Sequence, residues 1–176
     1  MVAHIEKAGG EAFVFRADVA VQAEVEALVA AAVEKWGHLN VFVNNSAVSG
    51  SPAPIERETE AQVDLITAIN FKGTLWGIQA AAKVLQSGGS IINVSSRAAT
   101  LAFPGFGVYA GPKSAVDTLT RNVANTSQPV ENMHHHTWPT PGWTALICHP
   151  PGNTIHHLGG DHLQPVIRAH CYHRWQ

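Results

Sequence analysis

Tyr109 and Lys113 stand four residues apart, the separation that places two side chains on one face of a helix. A free phenol ionises near pH ~10 and trades protons poorly at neutrality. A fixed ammonium beside it favours the phenolate and brings general acid and base work within reach. Ser96 precedes Tyr109 by thirteen residues, and its hydroxyl is suited to hold a carbonyl oxygen that the phenol protonates. A hydride donor on the opposite side of that carbonyl would complete the chemistry. Each piece alone is commonplace, since Tyr-x-x-x-Lys is often only a helix face and Ser-Ser after a strand often only a turn. The set carries the argument.

These groups need elements to position them. Residues 2–8 read as a short helix stopped by Gly9-Gly10. Glu11 to Arg16 contains the apolar run Ala12, Phe13, Val14, Phe15 and predicts a strand ending at Asp18. From Val21 to Trp36 the apolar residues keep the rhythm of one helical face, and Gly37 ends it. Leu39 to Val43 predicts a second strand, broken by Asn44-Asn45-Ser46. Thr59, with Gln62 three residues on, is the N-cap of a long helix expected to reach about Gln86, where Gly88-Gly89 stop it. Ser90 to Val94 predicts a third strand, and Val108 to Ala124 the last helix. Strands that are apolar throughout, alternating with helices, predict an α/β fold with a parallel sheet covered on both faces. Ligands of such sheets bind at the carboxyl ends of the strands, where Asp18, Asn44 and Ser96 all fall.

Composition sets the outer bounds. The 176 residues suffice for about one domain. A net charge of -2 with 14% charged residues makes no case for nucleic acid or an anionic membrane as a partner. Two cysteines, Cys148 and Cys171, do not make a disulfide framework. The first residues lack a signal-like apolar run and no stretch has the length of a membrane span, so a cytoplasmic setting is expected. From residue 129 on, however, the chain holds nine of its eleven histidines, three of its five tryptophans and six of its ten prolines. Two regions are therefore expected: 1–124, an ordinary α/β sequence, and 125–176, an irregular and poorly ordered tail.

Four motifs in order make residues 1–124 resemble the short-chain dehydrogenase/reductase family. They are Ala17-Asp18-Val19, Asn44-Asn45-Ser46-Ala47, Asn70 within Ile69-Asn70-Phe71-Lys72-Gly73, and Ile92-Asn93-Val94-Ser95-Ser96 with Tyr109 and Lys113. The resemblance implies a doubly wound, Rossmann-like fold and NAD(P)-dependent interconversion of a ketone and a secondary alcohol. It implies catalytic roles for Asn70, Ser96, Tyr109 and Lys113: proton relay, carbonyl orientation, general acid or base, and ribose binding with activation of the phenol. Cofactor contacts would come from Asp18 and Val19 at the adenine, from Asn44, Ser46 and Ala47 along the adenosine ribose, and from Tyr109 and Lys113. The implied cofactor is NAD or NADP, the partner a small carbonyl or alcohol substrate, and the intact family member a homo-oligomer through the helices at 60–86 and from 108. No metal is required. Ser95 is one residue off the spacing.

The sequence also departs from that pattern. No glycine-rich loop of the kind that cradles a pyrophosphate precedes the first helix, so the sheet is expected to lack its first βαβ segment. Ser46-Ala47 replaces the family's Ala-Gly. Pro112 next to Lys113 fits a helix only in its first turn. Pro141-Gly142, 32 residues after Tyr109, lies near the family's Pro-Gly but follows no β-branched run. A frameshifted or mis-spliced last exon would produce such a tail. The ligand types His134, His135, His136, Cys148, His149, His156, His157, His162, His170, Cys171 and His173 match no established zinc spacing. An alternative to catalysis is an inactive fragment working through protein contacts. The substrate is expected to be a ketone or secondary alcohol, whether sugar, steroid or acyl-carrier thioester ketone.

Overall fold

The computed structural model describes residues 2–126 and the backbone of 132–137. In chain order it comprises α1 (Val2–Lys7), α2 (Gln22–Trp36), β1 (Leu39–Asn44), α3 (Glu60–Thr67), α4 (Gly73–Ala82), β2 (Leu85–Ser95), α5 (Gly107–Thr126) and β3 (Asn132–Thr137). The strands form one parallel sheet in the order β1-β2-β3. This is an α/β fold of the Rossmann-like type.

Helix α2 buries Val25, Leu28, Val29 and Ala32, the stripe its periodicity demands. They join Phe42 of β1, Ile91 of β2 and Ile78 of α4 in the main core. Val41, Val43 and Ile92 alternate with Phe42 and Ile91 along their strands and make a second, smaller cluster with Val94. Polar groups at the carboxyl ends of β1 and β2 are thus carried on strands fixed by apolar contact on both faces.

The run at Glu11–Arg16 does not make the expected strand; only Arg16 forms a single bridge. Phe13 and Phe15 are partly buried against the core while Val14 is exposed. The Phe13 ring packs at 5.2 Å on Trp36, whose Nε1 donates to Glu11 Oε2 at 3.2 Å. An apolar run of this length specifies a buried face, not a neighbour to pair with. Here α2 supplies the burial.

The long helix starts where expected, with Thr59 Oγ1 accepting from Gln62 N. It ends at Ala82 rather than near Gln86, and a π-helical turn, Ala68–Lys72, separates α3 from α4. Gly88 and Gly89 lie inside β2 instead of stopping the helix. Leu39 pairs with Leu85 and Val41 with Ser90, so four residues of β2 bulge out opposite one of β1. Gly88, at φ 83°, supplies the left-handed backbone that the bulge needs.

At the start of helix α5, Ala110 N already donates to Phe106 O, which puts Pro112 beyond the first turn and removes one rung of the ladder. Strand β3 forms from Asn-Met-His-His-His-Thr, a sequence with no β-branched run. Pairing with the edge of β2, Ile91 opposite Met133 and Ser95 opposite Thr137, outweighs propensity there. Pro141-Gly142 and the cysteine and histidine ligand types from Cys148 to His173 lie outside the described residues. No described helix is long and apolar enough to cross a membrane.

Gly77 of α4 faces the end of β1 at a distance only glycine allows. A Cβ there would clash with Asn44 Oδ1 and come within 2.7 Å of Phe42 Cε1. Gly77→Ala is expected to force α4 off the strand and cost on the order of 1–3 kcal/mol. Urea unfolding of variant and wild type checks this, and equal midpoints would refute the close approach.

Candidate functional site

Ser96 follows the last residue of β2 and caps the short 3-10 turn Arg97–Ala99, its Oγ accepting from Ala98 N at 3.2 Å. That bond uses an acceptor lone pair and leaves the hydroxyl proton for a ligand. Ser95 is buried, its Oγ donating to the Lys113 carbonyl at 3.4 Å. Ser95 is therefore committed to the fold, and Ser96, half-buried, is the serine placed for a ligand.

Tyr109 and Lys113 both lie in the first two turns of α5. Tyr109 is half-buried, its ring edge-on to Phe106 with centroids 6.3 Å apart. Lys113 is 2% exposed; its Nζ lies 6.0 Å from the Tyr109 ring centroid and donates to Val94 O at 2.7 Å. An ammonium has three donors, so two remain. Burial pushes the Lys113 amine down to about 8, against the opposing pull of the Asp117 carboxylate one turn on. Together with Ser114 Oγ donating to Ala99 O at 2.9 Å, these bonds lock the start of α5 to the end of β2. Ser96, Tyr109 and Lys113 are thereby set in one neighbourhood.

Asn70 sits in the π-helical turn with no exposed surface. Its amide grips the backbone of Val48, accepting from N at 2.9 Å and donating to O at 2.8 Å. Its own carbonyl accepts from Thr74 Oγ1 at 3.0 Å. The side chain holds the loop after β1, and the π-helical turn packs against α5.

The second group gathers at the end of β1. Val19, Asn44, Asn45, Ser46, Gly73 and Thr74 line a small cavity of about 10 Å³ together with the buried core side chains of Val25, Leu28, Phe42 and Ile69. Ser46 Oγ is buried with no hydrogen-bond partner. Asp18 and Ala47 are exposed and are not part of the wall. The Asp18 carboxylate accepts from Ala20 N at 2.9 Å, while its own N–H donates to Glu24 Oε2. Asn44 Nδ2 donates to Asn93 Oδ1 at 2.8 Å, and Asn93 Nδ2 to Thr120 Oγ1 at 2.9 Å.

Three participants were not singled out from sequence: Phe106, Asn93 with its partner Thr120, and the Val94 carbonyl. Asn93 could have been found, because a polar residue inside an apolar strand must find partners. The Val94 carbonyl has no side-chain signal at all.

Residues 1–134 match the family model described as enoyl-(acyl carrier protein) reductase. The chain is 41% identical over 129 residues to an uncharacterized oxidoreductase of Methylorubrum extorquens, covering 73% of this chain and 52% of that protein. It is 40% identical over 113 residues to 2-(R)-hydroxypropyl-CoM dehydrogenase of Xanthobacter autotrophicus, covering 62% and 45%. A crystal structure of a dehydrogenase/reductase from Sinorhizobium meliloti superimposes with a TM-score of 0.71 at 33% identity, covering 76% of this chain and 54% of that one. The chain belongs to the short-chain dehydrogenase/reductase family. It spans about half the length of these relatives.

The buried amine makes stability depend on pH with a definite sign. An unfolded lysine ionises near ~10.4, so between about 8 and that value the unfolded chain holds more protons than the folded one. Stability attributable to Lys113 therefore rises with pH across this window, and the cost of burying the ammonium is fully felt below it. A proton held by one state and not the other is worth ~1.4 kcal/mol for each step of one in pH. The unfolding free energy of Lys113→Met relative to wild type should therefore fall by roughly 2–3 kcal/mol between pH 7 and about 10. Urea titrations at several pH values measure it. A difference that stays flat would mean that the amine is not desolvated.

Proposed function

We infer that this chain provides the catalytic part of an NAD- or NADP-dependent oxidoreductase that interconverts a ketone and a secondary alcohol. The observation that supports this reading is that Lys113 Nζ lies 6.0 Å from the Tyr109 ring centroid and donates to the carbonyl of Val94, two residues before Ser96. The name of the 2-(R)-hydroxypropyl-CoM dehydrogenase relative, an alcohol dehydrogenase, agrees with it.

The residues present fit a dinucleotide in one specific respect. Ser46 Oγ is a buried hydroxyl that the protein leaves without a partner, beside a cavity of about 10 Å³ at a strand's carboxyl end. A ligand hydroxyl or phosphate oxygen would satisfy it. Val19, Asn44 and Ser46 would hold the adenosine part, with Asp18 and Ala47 at its outer side. Lys113, with its two uncommitted donors, would hold the nicotinamide ribose. When bound, the nicotinamide supplies or accepts the hydride.

The protein's own work is proton transfer and orientation. Ser96 directs its hydroxyl proton to the substrate oxygen, drawing electron density from the carbonyl carbon. Tyr109 gives its phenolic proton to that oxygen in reduction and recovers it in oxidation. The Lys113 ammonium stabilises the phenolate left behind. Asn70, by fixing the Val48 backbone and the π-helical turn, positions a relay to solvent.

Tyr109→Phe removes the proton donor and keeps the ring on Phe106. Turnover of a secondary alcohol with NAD or NADP should fall by at least ~100-fold, the usual scale of general acid-base catalysis, while cofactor binding, read by NADH or NADPH fluorescence, stays within about twofold. Retained turnover in the variant would show that Tyr109 is not the proton donor. No detectable binding of either cofactor to the wild type at millimolar concentration would sink the reductase reading for this chain.

A further inference from the structure

Two loops flank the start of α5, residues 45–59 after β1 and residues 96–106 after β2. Ala53 N donates to Gly105 O at 3.0 Å, so the loops are joined. The second is pinned to the helix through Ser114 Oγ and Ala99 O, and it turns back on itself through Phe106 N and Phe103 O at 3.1 Å. Three large apolar side chains on them are left in solvent: Ile55 is 71% exposed, Leu101 47% and Phe103 44%. Ile55 Cδ1 lies 3.9 Å from where a Cβ on Gly107 would stand, two residues before Tyr109. Phe106 closes the same side against the Tyr109 ring. Two hydroxyls on these loops give their protons to nearby carbonyls: Ser49 Oγ donates to Gly50 O and Thr100 Oγ1 to Arg97 O. The charged residues Glu56, Arg57 and Arg97 are exposed.

We propose that the site selects a ketone or alcohol whose carbon skeleton beside the reacting carbon is hydrocarbon, with Ile55, Leu101, Phe103 and Phe106 as its wall. This rests on the reading of Ser96 and Tyr109 as the groups that face the carbonyl oxygen. Recognition of a sugar requires directed donors and acceptors around each hydroxyl, and Ser49 and Thr100 give their only donor protons to backbone. Apolar side chains held beside a carbonyl-binding pair gain by excluding water together with an apolar ligand. The wall is built from loops tied to each other and to α5, so it is in place before the ligand arrives.

The test is an amide chemical-shift titration of the full chain with three probes: 4-tert-butylcyclohexanone, fructose and pyruvate. The alkylcyclohexanone is expected to shift the amides of residues 101–109 and saturate, at a concentration where fructose and pyruvate do not. Phe103→Ser, a change at an exposed loop position, should raise its Kd about tenfold with an unchanged melting temperature. Leu101→Ser should act in the same direction. Tighter binding of fructose, or of pyruvate through Arg97, would overturn the proposal, as would the absence of any shift with the cyclohexanone or insensitivity to both substitutions. The catalytic reading fails separately: a cyclohexanone that binds at these amides but is not reduced with NADH or NADPH sinks the oxidoreductase and leaves the ligand class standing.

Discussion

Asn93 has no exposed surface, and both ends of its amide are committed: Oδ1 to Asn44 of β1 and Nδ2 to Thr120 of α5. Thr120 Oγ1 in turn donates to the Val116 carbonyl at 2.7 Å. A buried amide that loses a partner costs about 1–3 kcal/mol, so this chain of bonds fixes the distance between two strands and a helix far more sharply than apolar packing does. Apolar contact is non-directional and tolerates sliding; a satisfied polar network does not. One turn before Val116 on α5 stands Lys113, and two residues beyond Asn93 on β2 stands Ser95. The hydrogen bonds of Lys113 to Val94 and of Ser95 to the Lys113 carbonyl have their register set by the Asn93 anchor. The neighbourhood of Ser96 and Tyr109 is thus inherited from a residue that touches neither.

The same logic operates on the other side of the site. Asn70 spends its side chain on both backbone groups of Val48, which ties the loop after β1 to the helix that packs on α5. The π-helical turn accompanies this grip. Thr74 Oγ1 takes the Asn70 carbonyl, giving that carbonyl a partner where the helical ladder is irregular. Gly77, one turn further along, lets α4 approach Asn44 closely. Three polar side chains, at positions 44, 70 and 93, therefore do for the ends of the strands what the apolar clusters do for their middles.

Much of this was legible in the residues and some was not, for identifiable reasons. Helix α2 was legible because its stripe and its glycine stop agree, and Thr59 was legible because a cap bond is local. The four-residue gap put Tyr109 and Lys113 on one helical face, and the match to the family's motif joined Ser96, thirteen residues earlier, to them. The run at Glu11–Arg16 misled because strand formation depends on a neighbour, which composition does not report; its phenylalanines found α2 instead. Gly88-Gly89 reads equally as a helix stop and as a strand bulge, and only the register against β1 decides between them. Strand β3 was invisible because its histidine-rich sequence carries no propensity signal. Its pairing comes from the edge that β2 offers. The role of the Val94 carbonyl was beyond any sequence reading, because every residue has one.

The two halves of the site also differ in how completely the protein satisfies them. Around α5, Ser95 and Ser114 have hydrogen-bond partners, Lys113 commits one of its three donors, and Ser96 keeps its proton in reserve. At the end of β1, Ser46 Oγ is buried without one. An orphaned buried hydroxyl costs free energy, and the cavity beside it, about 10 Å³, is the size of one water. The position is also the one where Ser-Ala stands for the family's Ala-Gly. That polarity at the end of β1 stands opposite in character to the hydrocarbon wall of Ile55, Leu101 and Phe103. A ligand pair that is polar at one end and apolar at the other satisfies both.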